Sequence, residues 1–199
     1  MDLVDIVRIL APGILLGILV GMVVASRPFH LERLRPRFWL RAARRMKKSQ
    51  WVRLITVALW VAAASLVITN IISNYFYQIG TPLVNPEEYP FTQIQQDYPW
   101  LVLIAANILP VFEEWVFRAI LIDELIRRGR SKAFAVFSSS LLFAAFHLSN
   151  PGTYLPFVLT LVPSSILLGI CYLKVGLGGA LFAHNSYNSF LVIVDAVSR

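Results

Sequence analysis

Residues 54–79 read LITVALWVAAASLVITNIISNYFYQI and contain no charged side chain. A helix that crosses a bilayer needs about 20 mostly apolar residues, and this stretch is longer than that. A soluble chain of 199 residues has too small an interior to bury such a segment together with others like it. The stretch therefore predicts a transmembrane helix.

Five more apolar stretches flank it, at residues 9–25, 100–122, 133–148, 155–173 and 175–194. Hydrophobic residues make up 57% of the chain, and the mean hydropathy is +0.67, whereas soluble domains hold about 45–50% apolar residues. We interpret residues 9–25 as a retained span, because no small-residue cleavage site follows them. We expect an all-α fold, a polytopic membrane helix bundle with about six transmembrane helices, in a single membrane domain over residues 1–199.

The Lys and Arg residues predict how the helices are oriented. Most of them lie in residues 27–53, in residues 127–132 and at Lys174, whereas residues 80–99 contain none and carry acidic residues instead. Links rich in Lys and Arg stay in the cytoplasm. We therefore predict a multi-pass protein of the cell membrane with cytoplasmic basic links and both termini outside. This topology accounts for the net charge of +7 without a nucleic-acid partner.

The first basic link has two interpretations that the sequence leaves open. Leu31, Leu34 and Phe38 recur at helical spacing with arginines between them. This pattern is typical of an amphipathic helix lying on anionic lipid. A charged loop in water fits the same composition.

Residues 109–119 read LPVFEEWVFRA and place three ionisable side chains, Glu113, Glu114 and Arg118, within an apolar span. A charge at the bilayer centre costs at least about 2.5–3.5 kcal/mol. Glu114 and Arg118 are four residues apart, so they share a helix face and we expect them to pair. Glu113 points about 100° away around the helix and is not the natural partner of Arg118.

Two other spans carry polar residues at membrane depth. Residues 143–147 read FAAFH and end in His147, and residues 184–188 read HNSYN, with His184 and Asn188 four residues apart. Ionisable residues in membrane spans almost always face the bundle interior. We therefore expect the three polar faces to meet.

The residue types favour hydrolysis without a covalent nucleophile. Cys171 stands alone in an apolar stretch, no serine has the context of a nucleophile elbow, and the HExxH zinc motif is absent. A buried glutamate can take a proton from water, and histidine can pass that proton to a leaving amine. His184 and Asn188 can stabilise an oxyanion, while Arg118 keeps Glu114 ionised.

The order EExxxR, FxxxH and HxxxN on successive spans resembles the CAAX prenyl protease and bacteriocin-processing family (CPBP, Abi) over residues 101–190. The resemblance implies that Glu113 activates water, that His147 assists, and that His184 and Asn188 hold the oxyanion. It implies supporting roles for Glu114 and Arg118, and a catalytic four-helix core at residues 100–199 behind the N-terminal spans, basic link and outer loop of residues 1–99.

Two departures from the family pattern concern the substrate. Ala119 follows the arginine where the family often has glycine, and the N-terminal part has fewer spans than eukaryotic CAAX proteases. The second departure bears against classical CAAX substrates. The expected partners are the lipid bilayer and a membrane-associated polypeptide, with prenylated CAAX-type proteins as one class of substrate.

Other interpretations of these residues remain open. Glu113 as a protonated structural carboxyl, or His147 as a polar contact between helices, requires no enzyme. We expect no cofactor, but Glu113, His147 and His184 are also a plausible ligand set for zinc in a metal-dependent endopeptidase. A membrane immunity or scaffold protein without proteolytic activity is the third alternative.

Overall fold

The structure is a computed structural model, and it describes residues 3–197. In that part of the chain all regular elements are helical. In chain order they are α1 (Leu3–Ser26), α2 (Phe29–Glu32), α3 (Pro36–Arg45), α4 (Lys48–Gln78), α5 (Pro90–Asp97), α6 (Pro99–Glu114), a π-helical segment (Trp115–Ile122), α7 (Asp123–Arg127), α8 (Lys132–Phe146), a 3-10 turn (His147–Ser149) and α9 (Leu155–Val197).

Five of the described helices are long and apolar enough to cross a membrane, namely Ile9–Ser26, Lys48–Gln78, Pro99–Arg127, Lys132–Ser149 and Leu155–Val197. Large apolar side chains cover their outer faces: Leu15 is 67% exposed, Trp60 73% and Ile71 63%. An apolar surface of this kind requires lipid and not water. The predicted all-α membrane bundle is confirmed.

Helix α9 accounts for the two last predicted spans, because it bends at Gly176. Gly176 has φ 78° and ψ −176°, a conformation open almost only to glycine. The two halves run antiparallel. The backbone N–H of Tyr154, just before α9, donates a hydrogen bond to the Leu83 carbonyl. The Gln95 side chain donates one to Asp195, near the end of α9. Both ends of the helix therefore lie on one side of the bundle.

That side, called the loop end here, is formed by residues 79–98 and the turn before α9. An isolated antiparallel bridge joins Val84 to Thr153, and the Asn85 N–H donates to the Gly152 carbonyl at 2.7 Å. Gly152 has a positive φ of 68°, and a Cβ there would lie 2.8 Å from the Tyr89 nitrogen. The turn that follows His147 therefore holds the loop close to the bundle.

The opposite side, called the basic end here, carries α2, α3 and α7. The Arg33 guanidinium lies 2.8 Å from the Asp123 carboxylate and also donates to the Ala119 carbonyl at 2.8 Å. Arg27 and Glu124 are 3.0 Å apart. The first half of the basic link is thus packed against α7 and is not a loop in water. Contact of α3 with lipid stays a prediction.

Candidate active site

A π-helical segment follows the glutamate pair and shapes the site. It covers Trp115–Ile122 and begins directly after Glu114. Its i to i+5 bonding is rare and often marks functional sites. Side chains bond two of its carbonyls: the Ser139 hydroxyl donates to Phe117, and Arg33 donates to Ala119. The apolar pattern of the sequence does not reveal this segment, although Pro110 and the charged pair mark the place where the regular helix is disturbed.

Arg118 pairs with Glu114 in a fully buried position. The Arg118 Nε lies 3.3 Å from the Glu114 Oε2, and both side chains are 0% exposed. The Arg118 Nη2 also donates to the Ser165 hydroxyl at 2.9 Å, and the guanidinium lies 4.7 Å from the centre of the Phe143 ring. The expected pair of Glu114 and Arg118 is therefore present, held by α9 and α8 from both sides.

His184 connects the two glutamates. Its Nδ1 lies 2.9 Å from the Glu114 Oε1, and because a carboxylate only accepts, this nitrogen donates. Its Nε2 lies 3.7 Å from the Glu113 Oε2. The second half of α9 thus fixes an imidazole between a buried carboxylate and an accessible one.

Glu113 has different surroundings from its neighbour Glu114. Its side chain is 26% exposed and lines a cavity of about 650 Å³. His147, His184 and Asn188 line the same cavity, but Glu114 and Arg118 lie behind its wall. The structure thus places the four residues predicted to be catalytic on one cavity. The two residues predicted to support them lie outside its lining, with Glu114 in contact with His184.

His147 faces the cavity from the 3-10 turn after α8. Its Nδ1 lies 2.9 Å from the Phe143 carbonyl oxygen, which can only accept, so Nδ1 carries a proton. The ring lies 4.8 Å from the Phe143 ring. In the neutral histidine the free nitrogen is therefore Nε2, an acceptor.

Asn188 belongs to a polar seam between α6 and the second half of α9. Its Nδ2 donates to the Ala106 carbonyl at 3.1 Å, which uses one of the two N–H bonds of the amide. Asn107 bonds the Ser189 hydroxyl at 3.0 Å, and Asn185 donates to the Asn107 carbonyl at 3.3 Å. These hydrogen bonds fix the second half of α9, which carries His184 and Asn188, against α6, which carries the two glutamates.

Several cavity residues were not found by sequence analysis. Tyr89 lines the cavity from the loop end, and burial, followed by the negative charge of Glu113, raises the pKa of Tyr89 to about 12. Its hydroxyl therefore stays protonated near neutral pH and can donate. On the other wall, Ser65 and Thr69 of α4 face Ser164 of α9, with Thr69 and Ser164 2.9 Å apart. No charge or motif distinguishes these residues in the sequence.

The residues fit a zinc site poorly. Among residues 3–197, no group of three or more His, Cys, Asp or Glu side chains is arranged to hold one ion. Glu113, His147 and His184 share the cavity without forming such a group. The metal-dependent alternative therefore gains no support from the geometry.

The comparison with protein families agrees with the motifs. Residues 95–190 match the family described as type II CAAX prenyl endopeptidase Rce1-like. The match begins in α5, ends in α9 and contains all six predicted site residues. The chain matches no curated protein and no solved structure. The resemblance inferred from the three motifs is confirmed.

Proposed function

Since residues 95–190 are an Rce1-like segment of the type II CAAX prenyl endopeptidase family, we propose that this multi-pass membrane protein is a glutamate-type intramembrane endopeptidase. It hydrolyses a peptide bond of a membrane-associated polypeptide. The observation that carries the proposal is the position of Glu113, whose accessible carboxylate shares one cavity with both imidazoles and the Asn188 amide.

The first chemical step is the activation of water. The Glu113 carboxylate takes a proton from a water molecule in the cavity, and the resulting hydroxide attacks the scissile carbonyl. The His147 Nε2 lies on the same cavity as an acceptor and orients this water. Glu114 does not compete for the role, because it is buried against Arg118 and His184.

The second step is the collapse of the tetrahedral intermediate. His184, when protonated, donates from Nε2, and Asn188 donates from its remaining N–H, so that both stabilise the oxyanion. The buried Glu114 stabilises the positive charge of His184 through the 2.9 Å contact. The proton taken by Glu113 passes through His147 to the leaving amine, which restores the carboxylate and releases two peptide products.

The test is cleavage of a membrane-peptide library by the purified protein, compared with Glu113→Gln and His147→Ala. We expect both variants to lose activity by a factor of at least about 100, the usual contribution of general acid–base catalysis, while remaining inserted. Glu88→Gln is the matched control, since Glu88 is exposed at the loop end. Turnover at the wild-type rate in both site variants contradicts the mechanism.

The same proteins separate the two alternatives. An immunity or scaffold protein keeps its biological activity when Glu113 becomes Gln, whereas an endopeptidase loses it. A zinc-dependent endopeptidase loses activity after treatment with a chelator and regains it when zinc is added. We expect cleavage by this protein to resist the chelator.

A further inference from the structure

Helix α3, at the basic end, separates its cations from its apolar residues. A helix turns by about 100° per residue, so its four arginines fall within roughly a third of its circumference. All four are exposed: Arg37, Arg41, Arg44 and Arg45. The half-buried residues lie on the rest of the circumference: Phe38, Trp39, Ala42 and Ala43. Helix α3 therefore has a cationic face and an apolar face.

Trp39 attaches the apolar face to the helices that carry the candidate active site. Its indole N–H donates to the Arg33 carbonyl at 2.8 Å, and the Arg33 guanidinium donates to the Ala119 carbonyl of the π-helical segment. A Cβ at Gly178 would lie 3.3 Å from the Trp39 ring, so the indole packs on α9 two residues beyond the bend at Gly176. The position of α3 is thus linked to both the bend and the π-helical segment.

The cationic face belongs to a larger cluster of positive charge. Residues 33–53 contain nine Lys or Arg and no Asp or Glu. Glu32, just before this segment, pairs with Arg35 and lies 3.8 Å from Arg41. One carboxylate cannot balance so many cations, and a surface with charge of one sign attracts ligands of the opposite sign. The cluster therefore fits an anionic partner.

Exposed apolar residues beside the cations indicate which anionic partner fits. Leu40 is exposed next to the arginines of α3, and Trp51 and Val52 are exposed at the start of α4. The uncharged stretch of α4 begins at residue 54, so the cations lie where a membrane span enters the bilayer, at the level of the lipid headgroups. An amphipathic helix there puts its apolar residues at the acyl boundary. This arrangement favours lipid over a soluble polyanion.

We propose that the cationic face of α3 binds the headgroups of anionic phospholipids, and that this binding stabilises the contact of Trp39 with the bend in α9. The arginines donate charge-assisted hydrogen bonds to the lipid phosphates. A ligand that binds the folded state stabilises it, so anionic lipid should stabilise the bundle while α3 is attached to it. The inference concerns the basic end and not the cavity, and it holds whether or not the protein cleaves peptides.

The test measures the unfolding temperature of the full chain in two kinds of bilayer. One is phosphatidylcholine alone, and in the other about a third of the lipid is phosphatidylglycerol, which gives the surface a negative potential. We expect the unfolding temperature to be higher by at least about 2 °C in the mixed bilayer. High salt should remove most of this shift, because it screens exposed charges. Equal unfolding temperatures in the two bilayers overturn the inference.

The variant that tests the cationic face combines Arg37→Gln, Arg41→Gln and Arg44→Gln. We expect it to lose most of the shift caused by phosphatidylglycerol. The matched control combines Arg128→Gln, Arg130→Gln and Lys132→Gln, which removes the same number of exposed cations from the link between α7 and α8 at the same end of the bundle. The control should keep the shift. Equal losses in the two variants would show an effect of net charge alone and overturn the assignment to α3.

Trp39→Ala tests the link between α3 and the bend. It keeps the cations but removes the indole, so we expect anionic lipid no longer to raise the unfolding temperature. Trp51→Ala is the matched control, because that indole is exposed, and it should keep the shift. A full shift in Trp39→Ala contradicts the link through Trp39.

Glycerol 3-phosphate in solution distinguishes a lipid from a free phosphate. We expect it to leave the unfolding temperature in phosphatidylcholine unchanged, because it brings no negative charge to the membrane surface. A shift as large as that caused by phosphatidylglycerol would show that α3 recognises phosphate without lipid, and it would overturn the proposal.

Discussion

Glu113 and Glu114 are adjacent in the chain, but their carboxylates meet different surroundings. Glu114 contacts a guanidinium and an imidazole in a site that excludes solvent, whereas Glu113 reaches the cavity. The sequence predicted this division, because the spacing of four residues selects Glu114 as the partner of Arg118. It could not predict that His184 lies between the two carboxylates, since that contact joins residues 70 positions apart.

Removing Arg118 should destabilise the protein as well as inactivate it. Arg118→Ala leaves the Glu114 carboxylate buried without its cation, and losing one partner of a buried pair costs about 3–5 kcal/mol. We expect Glu114→Gln in the same chain to restore part of the lost stability, since no charge is then left unpaired. Thermal unfolding of the wild type, the single variants and the double variant measures this coupling.

Arg128→Ala provides the comparison, because Arg128 is exposed at the basic end. Surface substitutions of this kind usually change stability by less than about 0.5 kcal/mol. An Arg118→Ala protein as stable as Arg128→Ala would show that the buried pair contributes nothing to folding.

At the scale of elements, the lengths of the apolar stretches predicted most boundaries of the membrane spans to within a few residues. Residues 54–79 correspond to α4 and residues 133–148 to Lys132–Ser149. The sequence did not predict that the last two spans form one bent helix, because a single glycine among several looks ordinary until its φ and ψ are known. The π-helical segment was missed for a similar reason, since its backbone geometry leaves the apolar pattern of residues 100–122 unchanged.

The bend at Gly176 should tolerate no side chain. Gly176→Ala must adopt φ 78° and ψ −176°, and such strained conformations cost about 1–3 kcal/mol. We expect a lower unfolding temperature together with lower activity, because the bend sets the position of His184. Unfolding in detergent and peptide cleavage are the two measurements.

Gly17→Ala on α1 is the matched control. A Cβ at Gly17 meets nothing within 4 Å, and alanine has the higher helix propensity by about 1 kcal/mol. This variant should be at least as stable as the wild type. Equal stability of Gly176→Ala and Gly17→Ala would rule out strain at the bend.

At the scale of the whole molecule, the part of the chain before the family segment completes the site. Helix α4 supplies the wall with Ser65, Thr69 and Ser73, and the basic link holds α7 and the π-helical segment through Arg33. His30 of the same link is fully buried, and its backbone carbonyl accepts a hydrogen bond from the Trp115 indole at 2.8 Å. From the sequence, the link has a role in topology and is either an amphipathic helix on lipid or a charged loop. Its contacts with α7 could not be predicted, because they depend on tertiary packing.

The buried position of His30 at the basic end should make the free energy of unfolding depend on pH. Burial, with a smaller contribution from Arg33, lowers the pKa of His30 below its ordinary value despite the neighbouring Glu124. The unfolded chain therefore binds a proton at His30 more readily than the folded chain does. His30 thus stabilises the fold above about pH 6.5, the ordinary pKa of histidine. This stabilisation is lost as the pH falls toward the lower pKa of the folded state. Unfolding temperatures between about pH 5 and 8 measure the effect.

His30→Gln isolates the contribution of His30 from that of the nearby carboxylates. Gln does not titrate, so we expect the unfolding temperature of this variant to fall less steeply below pH 6.5 than that of the wild type. Parallel curves for the two proteins would show that His30 does not take up a proton on unfolding.

The bend in α9 has a consequence that we expect for the entry of the chain into the bilayer during its synthesis. The second half of α9 contains His184, Asn185, Asn188 and two serines, and such residues weaken recognition of a lone segment by the translocon. Its apolar first half turns back on it at Gly176, so the two halves can partition into lipid as one antiparallel unit. We therefore expect a single glycine to help a segment of low intrinsic insertion propensity reach the depth at which its imidazole meets the two glutamates.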